Sequence, residues 1–181
     1  MNFSTKYHAM ANLSGQSQMR EKTKLKSAAI SRYRVDEATK FVSSPNCGAI
    51  SIFIGTTRIN ENDSSKDNCH VVKSLYYEAY DQMALAMMRE IVSDIISKQN
   101  DDDQSYTKVY VHHKLGHVAL GETSIIIAVS SPHRTTSHRM VMEILNKIKQ
   151  NVPIWKKIQF QDTNTDDGQW SDKSEAFWLQ S

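Results

Sequence analysis

The sequence predicts an α+β domain, two main helices packed against a largely antiparallel or mixed sheet. Three observations carry that prediction. Short apolar runs at 48–54 (GAISIFI) and 123–130 (TSIIIAVS), rich in β-branched residues, read as strands, as does 154–160 (IWKKIQF). Two long stretches, 80–98 and 132–150, repeat apolar residues every three or four positions and read as amphipathic helices. The element order is β-β-α-β-β-α-β after a small N-terminal element, with no internal repeat and no Gly-rich phosphate loop.

With 181 residues the chain is long enough for one domain with a real core. No apolar run approaches the ~18 residues of a membrane span. A net charge of +2 argues against a general nucleic-acid binder. That charge is uneven. Residues 1–27 carry Lys6, Arg20, Lys22, Lys24 and Lys26 against Glu21 alone. They read as a poorly ordered basic tail ahead of a single domain over 28–181. The tail lacks a secretory apolar core, so a cytosolic extension is the expectation and a mitochondrial presequence the alternative. Cys47 and Cys69 form no CxxC and no zinc spacing, which fits a reducing compartment and no disulfide framework.

Along the chain, 28–33 reads as a short strand. Residues 36–43 read as one or two helical turns with Asp36 as N-cap. Strand 48–54 is buried, Cys47 being a small core residue at its start, and 59–70 (INENDSSKDNCH) is an exposed polar loop. Residues 71–77 return as a strand. Helix 80–98 buries a stripe of Met83, Met87, Ile91 and Ile95, widened by Met88, Val92 and Ile96. Residues 100–103 end it. Strand 108–113 shows alternating character, 115–121 is a loop, and 123–130 is the most strongly β segment. Helix 132–150 has Ser131 as N-cap, Pro132 at its first position and Val141, Ile144, Leu145 and Ile148 on its buried face. Pro153 stops it. Strand 154–160, an acidic turn at 162–168 and a tail over 169–181 complete the chain.

Two cationic clusters bracket the second helix. His133 and Arg134 fall at its start, where free N–H groups and the helix dipole favour an anion. A solvated pair is the plainer alternative, yet positive charge there is locally unfavourable without an anion. Lys149, Lys156 and Lys157 gather around the Pro153 turn, and periodicity does not choose between Lys147 and Lys149. A solvated basic edge is the commoner fate of such lysines. Arg58 closes a buried strand at Gly55-Thr56-Thr57. His112, His113 and His117 have no carboxylate or cysteine at metal-ligand spacing, and strand alternation sends His112 and His113 to opposite faces. No metal and no cofactor are expected.

GAISIFIGTTR (48–58), LYYEAY (75–80), HKLG (113–116), SIIIAVSSPHR (124–134) and VPIWKK (152–157), in this order and spacing, resemble the molybdopterin synthase catalytic (large) subunit family. The likeness runs from about 45 to 178, and EAFW (175–178) resembles eukaryotic members. The resemblance implies an α/β-hammerhead-like domain with an additional antiparallel β subdomain. It implies sulfur transfer from the thiocarboxylated C-terminal Gly-Gly of a small ubiquitin-like subunit to cyclic pyranopterin monophosphate. It also implies a homodimer core within a heterotetramer. By motif match the two essential lysines fall on Lys149 and Lys156. Substrate-binding positions fall on Arg58, His133, Arg134, Lys149, Lys156, Lys157 and Ile158. Where the family usually has glutamate, this chain has Ile158, and its His-Arg-x-Gly is here His113-Lys114-Leu115-Gly116. A non-catalytic anion-binding or adaptor protein on the same fold is the second reading. Arg134 and Lys149 lie fifteen residues apart on one helix, about 22 Å. A small pterin cannot touch both in one chain, so the expected pocket is composite. It takes Lys149, Lys156 and Arg58 from one subunit and His133 and Arg134 from its mate.

Overall fold

The computed structural model describes residues 21–26, 32–59, 71–161 and 168–171. Two four-stranded sheets organise them. The first has the order β1 (Glu21–Lys26), β4 (Lys108–Lys114), β6 (Thr123–Ser131), β2 (Ala49–Thr56). Its β1–β4 pair is parallel and the others are antiparallel. The second is antiparallel, in the order β5 (Gly116–Ala119), β3 (Val72–Ala79), β7 (Ile154–Phe160), β8 (Gln169–Trp170).

Helices α2 (Asp81–Ser97) and α4 (Arg134–Asn151) cover one face of the first sheet. Met88, Val92 and Ile95 of α2 and Met140, Ile144 and Ile148 of α4 close over Val109, Val111, Ile127 and Val129. Each such side chain, fully buried, contributes on the order of 1.5–3 kcal/mol. Helix α1 (Arg32–Val42) covers the other face with Ala38 and Val42 against Tyr110, Ile126 and Ala128. Strand β4 is therefore enclosed between helical layers and is buried almost throughout, which removes the alternation expected over 108–113. The second sheet has a much smaller core: Val72, Leu75, Val118 and Ile158.

The α+β class, the hammerhead-like expectation and the two main helices stand. Several local expectations do not. Residues 21–26 are not part of a tail, because they pair with β4 from Glu21↔Val109 to Lys26↔Lys114. Of 28–33, residues 28–31 lie outside the described residues, and Arg32 already begins α1. Asp36 is thus inside that helix rather than its cap. The 115–121 segment contains β5, which pairs with β3 and turns at Gly116 (φ 77°) and Gly121 (φ 73°), both left-handed. The polar run after α2 starts a further short helix, α3 (Asp101–Tyr106), capped by Asn100, whose side chain accepts from the Asp103 N–H at 3.2 Å. On α2, Met83 is exposed, and the buried row runs from Ala84 through Met88, Ile91, Val92 and Ile95 to Ile96. The expectations at 60–70, at Cys69 and at 162–167 lie outside the described residues, as does the tail beyond Ser171. No helix among the described residues is long and apolar enough to cross a membrane.

Candidate functional site

The site is built from both ends of α4 and the strand that follows it. Ser131 is not the N-cap: it is the last residue of β6, paired with Ala49, and Pro132 lies in the connecting turn. His133 is the N-cap (φ −119°, ψ 137°) without a side-chain capping bond, and Arg134 is the first helical residue. Both are exposed.

A negative group already stands at this helix start. Asp103, only 6% exposed, accepts hydrogen bonds from Ser131 Oγ at 3.1 Å and Thr136 Oγ1 at 3.2 Å. Its carboxylate stands at the N-terminal end of the helix, where the helix dipole favours a negative group. The first turn of α4 is also fixed to β2. Ser51 Oγ lies 2.7 Å from Ser137 Oγ and 3.1 Å from His138 Nδ1, and Ser137 Oγ bonds the Arg134 carbonyl at 2.9 Å.

At the other end the structure separates the two lysines that periodicity could not. Lys147 Nζ sits 2.8 Å from Asp94 Oδ2 and 3.7 Å from Glu143 Oε1, tying α4 to α2. The hydrogen bond to Asp94 raises the Lys147 pKa, and those from Lys147 and then Lys98 lower that of Asp94. Lys149, in the last turn, is exposed and favourably placed for the helix dipole. Val152 leaves the helix in an extended conformation, and Pro153 leads directly into β7. The last turn of α4 and the start of β7 are therefore close neighbours.

Strand alternation divides the β7 residues. Ile154 packs on the main core and Ile158 is buried in the small one, so Lys156, between them, belongs to the inward row and is half-buried. Lys157 belongs to the other face, its Nζ 5.3 Å from the Trp170 ring centroid, a cation–π contact with β8. The two adjacent lysines therefore do not converge. Ile158 presents no side chain to a ligand at all: it packs with Val72, Leu75 and Val118.

Arg58 is exposed two residues beyond β2. Its position is fixed by buried Thr57, whose N–H donates to the Glu122 carbonyl at 3.1 Å and whose carbonyl accepts from the Gly121 N–H at 2.8 Å. Glu122 in turn pairs with buried Lys114 at 2.5 Å and accepts from the Ala119 N–H at 2.9 Å. Burial pushes the Glu122 pKa up, but the bonds from Lys114 and Ala119 outweigh it and hold the carboxylate below its usual range. Lys114, the last residue of β4, thus anchors the β5–β6 turn through Glu122. His112 and His113 are buried, and His113 packs edge-on to Tyr77 at 4.9 Å with its pKa lowered to about 4 by burial.

The sequence reading missed Asp103, Ser51, the Lys114–Glu122 pair and Trp170. Only Asp103 carried a local signal, an acidic residue three positions after Asn100.

The scaffold is a two-sheet α+β fold that presents arginine and lysine at strand and helix ends. The family described as MoaE protein matches residues 17–151. The molybdopterin synthase catalytic subunit of Taeniopygia guttata is 44% identical over 158 residues, covering 87% of this chain and 91% of that one. The human molybdopterin synthase catalytic subunit is 44% identical over 144 residues, covering 80% and 69%. Among solved structures, molybdopterin synthase from Staphylococcus aureus superposes with a TM-score of 0.64 at 26% identity, covering 87% of this chain and 98% of that one. The chain belongs to the MoaE family, that of the molybdopterin synthase catalytic subunits.

Proposed function

We propose that this chain is the catalytic subunit of a molybdopterin synthase, transferring sulfur to cyclic pyranopterin monophosphate from the thiocarboxylated C-terminus of a small ubiquitin-like subunit. The carrying observation is the arrangement around Pro153. Lys147 is committed to Asp94, while Lys149 and Lys156 flank a two-residue turn from helix to strand. A cyclic phosphate and a thiocarboxylate are both anionic, so their approach needs cations. An ammonium close to other positive charge also exchanges a proton more readily. We assign Lys149 and Lys156 as catalytic. Arg58 and, from the dimer mate, His133 and Arg134 bind the pterin phosphate.

Two members of the inferred binding set change role. Ile158 can offer only backbone, so the missing glutamate removes a carboxylate but leaves the strand's packing intact. Lys157 sits on the opposite face of β7 and acts through Trp170 on the edge of the sheet. The partner subunit is supported by the Helicobacter pylori relative of the same fold, a complex of subunits 1 and 2 of molybdopterin-converting factor. We place the enzyme in the cytosol as a heterotetramer around a homodimer.

The test is sulfur transfer with purified chain, thiocarboxylated carrier and the pterin precursor. Dithiolene product, absent when Lys149→Ala replaces the wild type, is the expected result. A folded chain that binds carrier and pterin without making product would instead be an adaptor.

A further inference from the structure

We infer that Tyr77 is a positioning residue for Lys156: its ring is the wall that sets the direction of the lysine side chain. The inference rests on the assignment of Lys156 to sulfur transfer above and adds the residue that aims it. Strands β3 and β7 pair with Leu75 opposite Ile158, Tyr77 opposite Lys156 and Ala79 opposite Ile154. All three pairs lie on the face that turns towards the cores. Leu75 and Ile158 are buried in the small core, Tyr77 packs against it, and Ala79 and Ile154 pack on the main one. Tyr76 and Glu78, on the opposite face, are exposed. Of these six inward residues only Lys156 is charged. Its stem meets Ile154 and Ile158 along its own strand. Across the strands it meets Tyr77, at the ~4.5–5.5 Å between Cβ atoms of opposed residues. The remaining neighbour in the sheet is small: Ser171, whose N–H donates to the Lys156 carbonyl at 2.8 Å. Lysine lays its stem along apolar surface and keeps its head out. Three bulky neighbours and one small one therefore bias the ammonium towards one side.

Tyr77 can act as a wall because it is itself held. Its ring meets the His113 ring edge-on, with the centroids 4.9 Å apart. His113 is fixed in turn, its Nδ1 donating to the Lys114 carbonyl at 2.7 Å. Burial lowers the His113 pKa to about 4, so the imidazole is neutral near pH 7 and adds no charge to repel Lys156. On the other side of Tyr77 the paired residue is Gly116, whose missing side chain leaves room for the ring. The same sheet shows the device on its opposite face. There Lys157 is paired with Trp170 and sets its Nζ 5.3 Å from that ring. An aliphatic residue at 77 would cover the small core as Leu75 does one pair along, but it would not present a flat, rigid face to the lysine.

The experiment reads Lys156 directly in the full chain and without substrate, which separates this role from the reaction. With 13C at lysine Cε, the Lys156 resonance is identified by its loss in Lys156→Arg. The ring should displace it from the resonances of exposed lysines. Tyr77→Leu should return it to their position, and Tyr77→Phe should keep it displaced. In sulfur transfer with thiocarboxylated carrier and the pterin precursor, Tyr77→Leu should lower kcat by at least about 10-fold, since a misplacement of about 1 Å can cost about 100-fold. KM should stay unchanged, the pattern of a residue that acts only on the reacting geometry. Tyr77→Phe should restore most of the rate. If Tyr77→Leu does not fold, the wild-type and Tyr77→Phe spectra decide. An undisplaced Lys156 resonance, wild-type kcat in Tyr77→Leu, or equal losses in Tyr77→Leu and Tyr77→Phe overturns the ring as the wall. A displaced resonance in a chain that transfers no sulfur upholds the geometry and overturns only the function assigned to Lys156.

Discussion

The two ends of α4 carry similar charges and are held in opposite ways. At the start, His133 and Arg134 are exposed, and the turn beneath them is fixed by hydroxyls and one buried carboxylate, Asp103. At the end, one lysine is tied into an ion-pair cluster with Asp94 and Glu143, and its neighbour two residues on stays at the surface. The 18-residue helix keeps the ends about 26 Å apart. Basic residues of the same local appearance therefore differ in setting: Lys147 fastens α4 to α2, while Lys149 is exposed. The division is made by what the next element brings up to them.

The strongest way to break this comparison is at the lysines. Lys149→Ala and Lys156→Ala should each lower turnover by at least about 100-fold, the scale of a positioned acid–base group, with unchanged melting temperature. Lys147→Ala should retain most turnover and show only a small drop in melting temperature. Equal losses for Lys147 and Lys149 would erase the distinction. The two ends can next be tested in trans. Arg134→Ala and Lys149→Ala, each inactive alone, should regain about a quarter of wild-type activity when co-refolded, because half of the dimers are mixed and each holds one intact composite pocket. Failure to complement would put both ends in one pocket.

Smaller effects probe stability. His113 is held neutral in the fold, with a pKa of about 4 against an ordinary 6.5. The unfolded chain takes up its proton first, so stability is full above about 6.5 and falls as pH drops towards 4, by up to about 1.4 kcal/mol per unit. Denaturation midpoints measured over that range should show the slope, and His113→Leu should flatten it. Asp103→Ala should destabilise the fold by about 1–3 kcal/mol, because it strands the Ser131 and Thr136 hydroxyls. It should also raise KM more than it lowers kcat, as the His133–Arg134 turn loosens. An unchanged KM would make Asp103 purely a fastener of the fold.

The sequence by itself determined the elements whose signal is local. Helices α2 and α4 announced themselves through a 3.6-residue apolar period. Strand β7 was bounded by Pro153 and fell at 154–160 as expected. The cationic residues at strand and helix ends were legible because charge next to a structural break is visible in the residues themselves. Tertiary structure alone decided what depends on distant partners. Strand β1 exists because β4 offers a parallel edge some ninety residues later, and β5 because β3 pairs with it. The start of α4 moved from Pro132 to Arg134 because Ser131 is held in β6 and bonds Asp103. The separation of Lys147 from Lys149, and of Lys156 from Lys157, followed from which helix or strand lies across each side chain. Periodicity reports how a segment folds along its own axis; only packing between segments decides whether a charge is neutralised, buried or left facing a ligand.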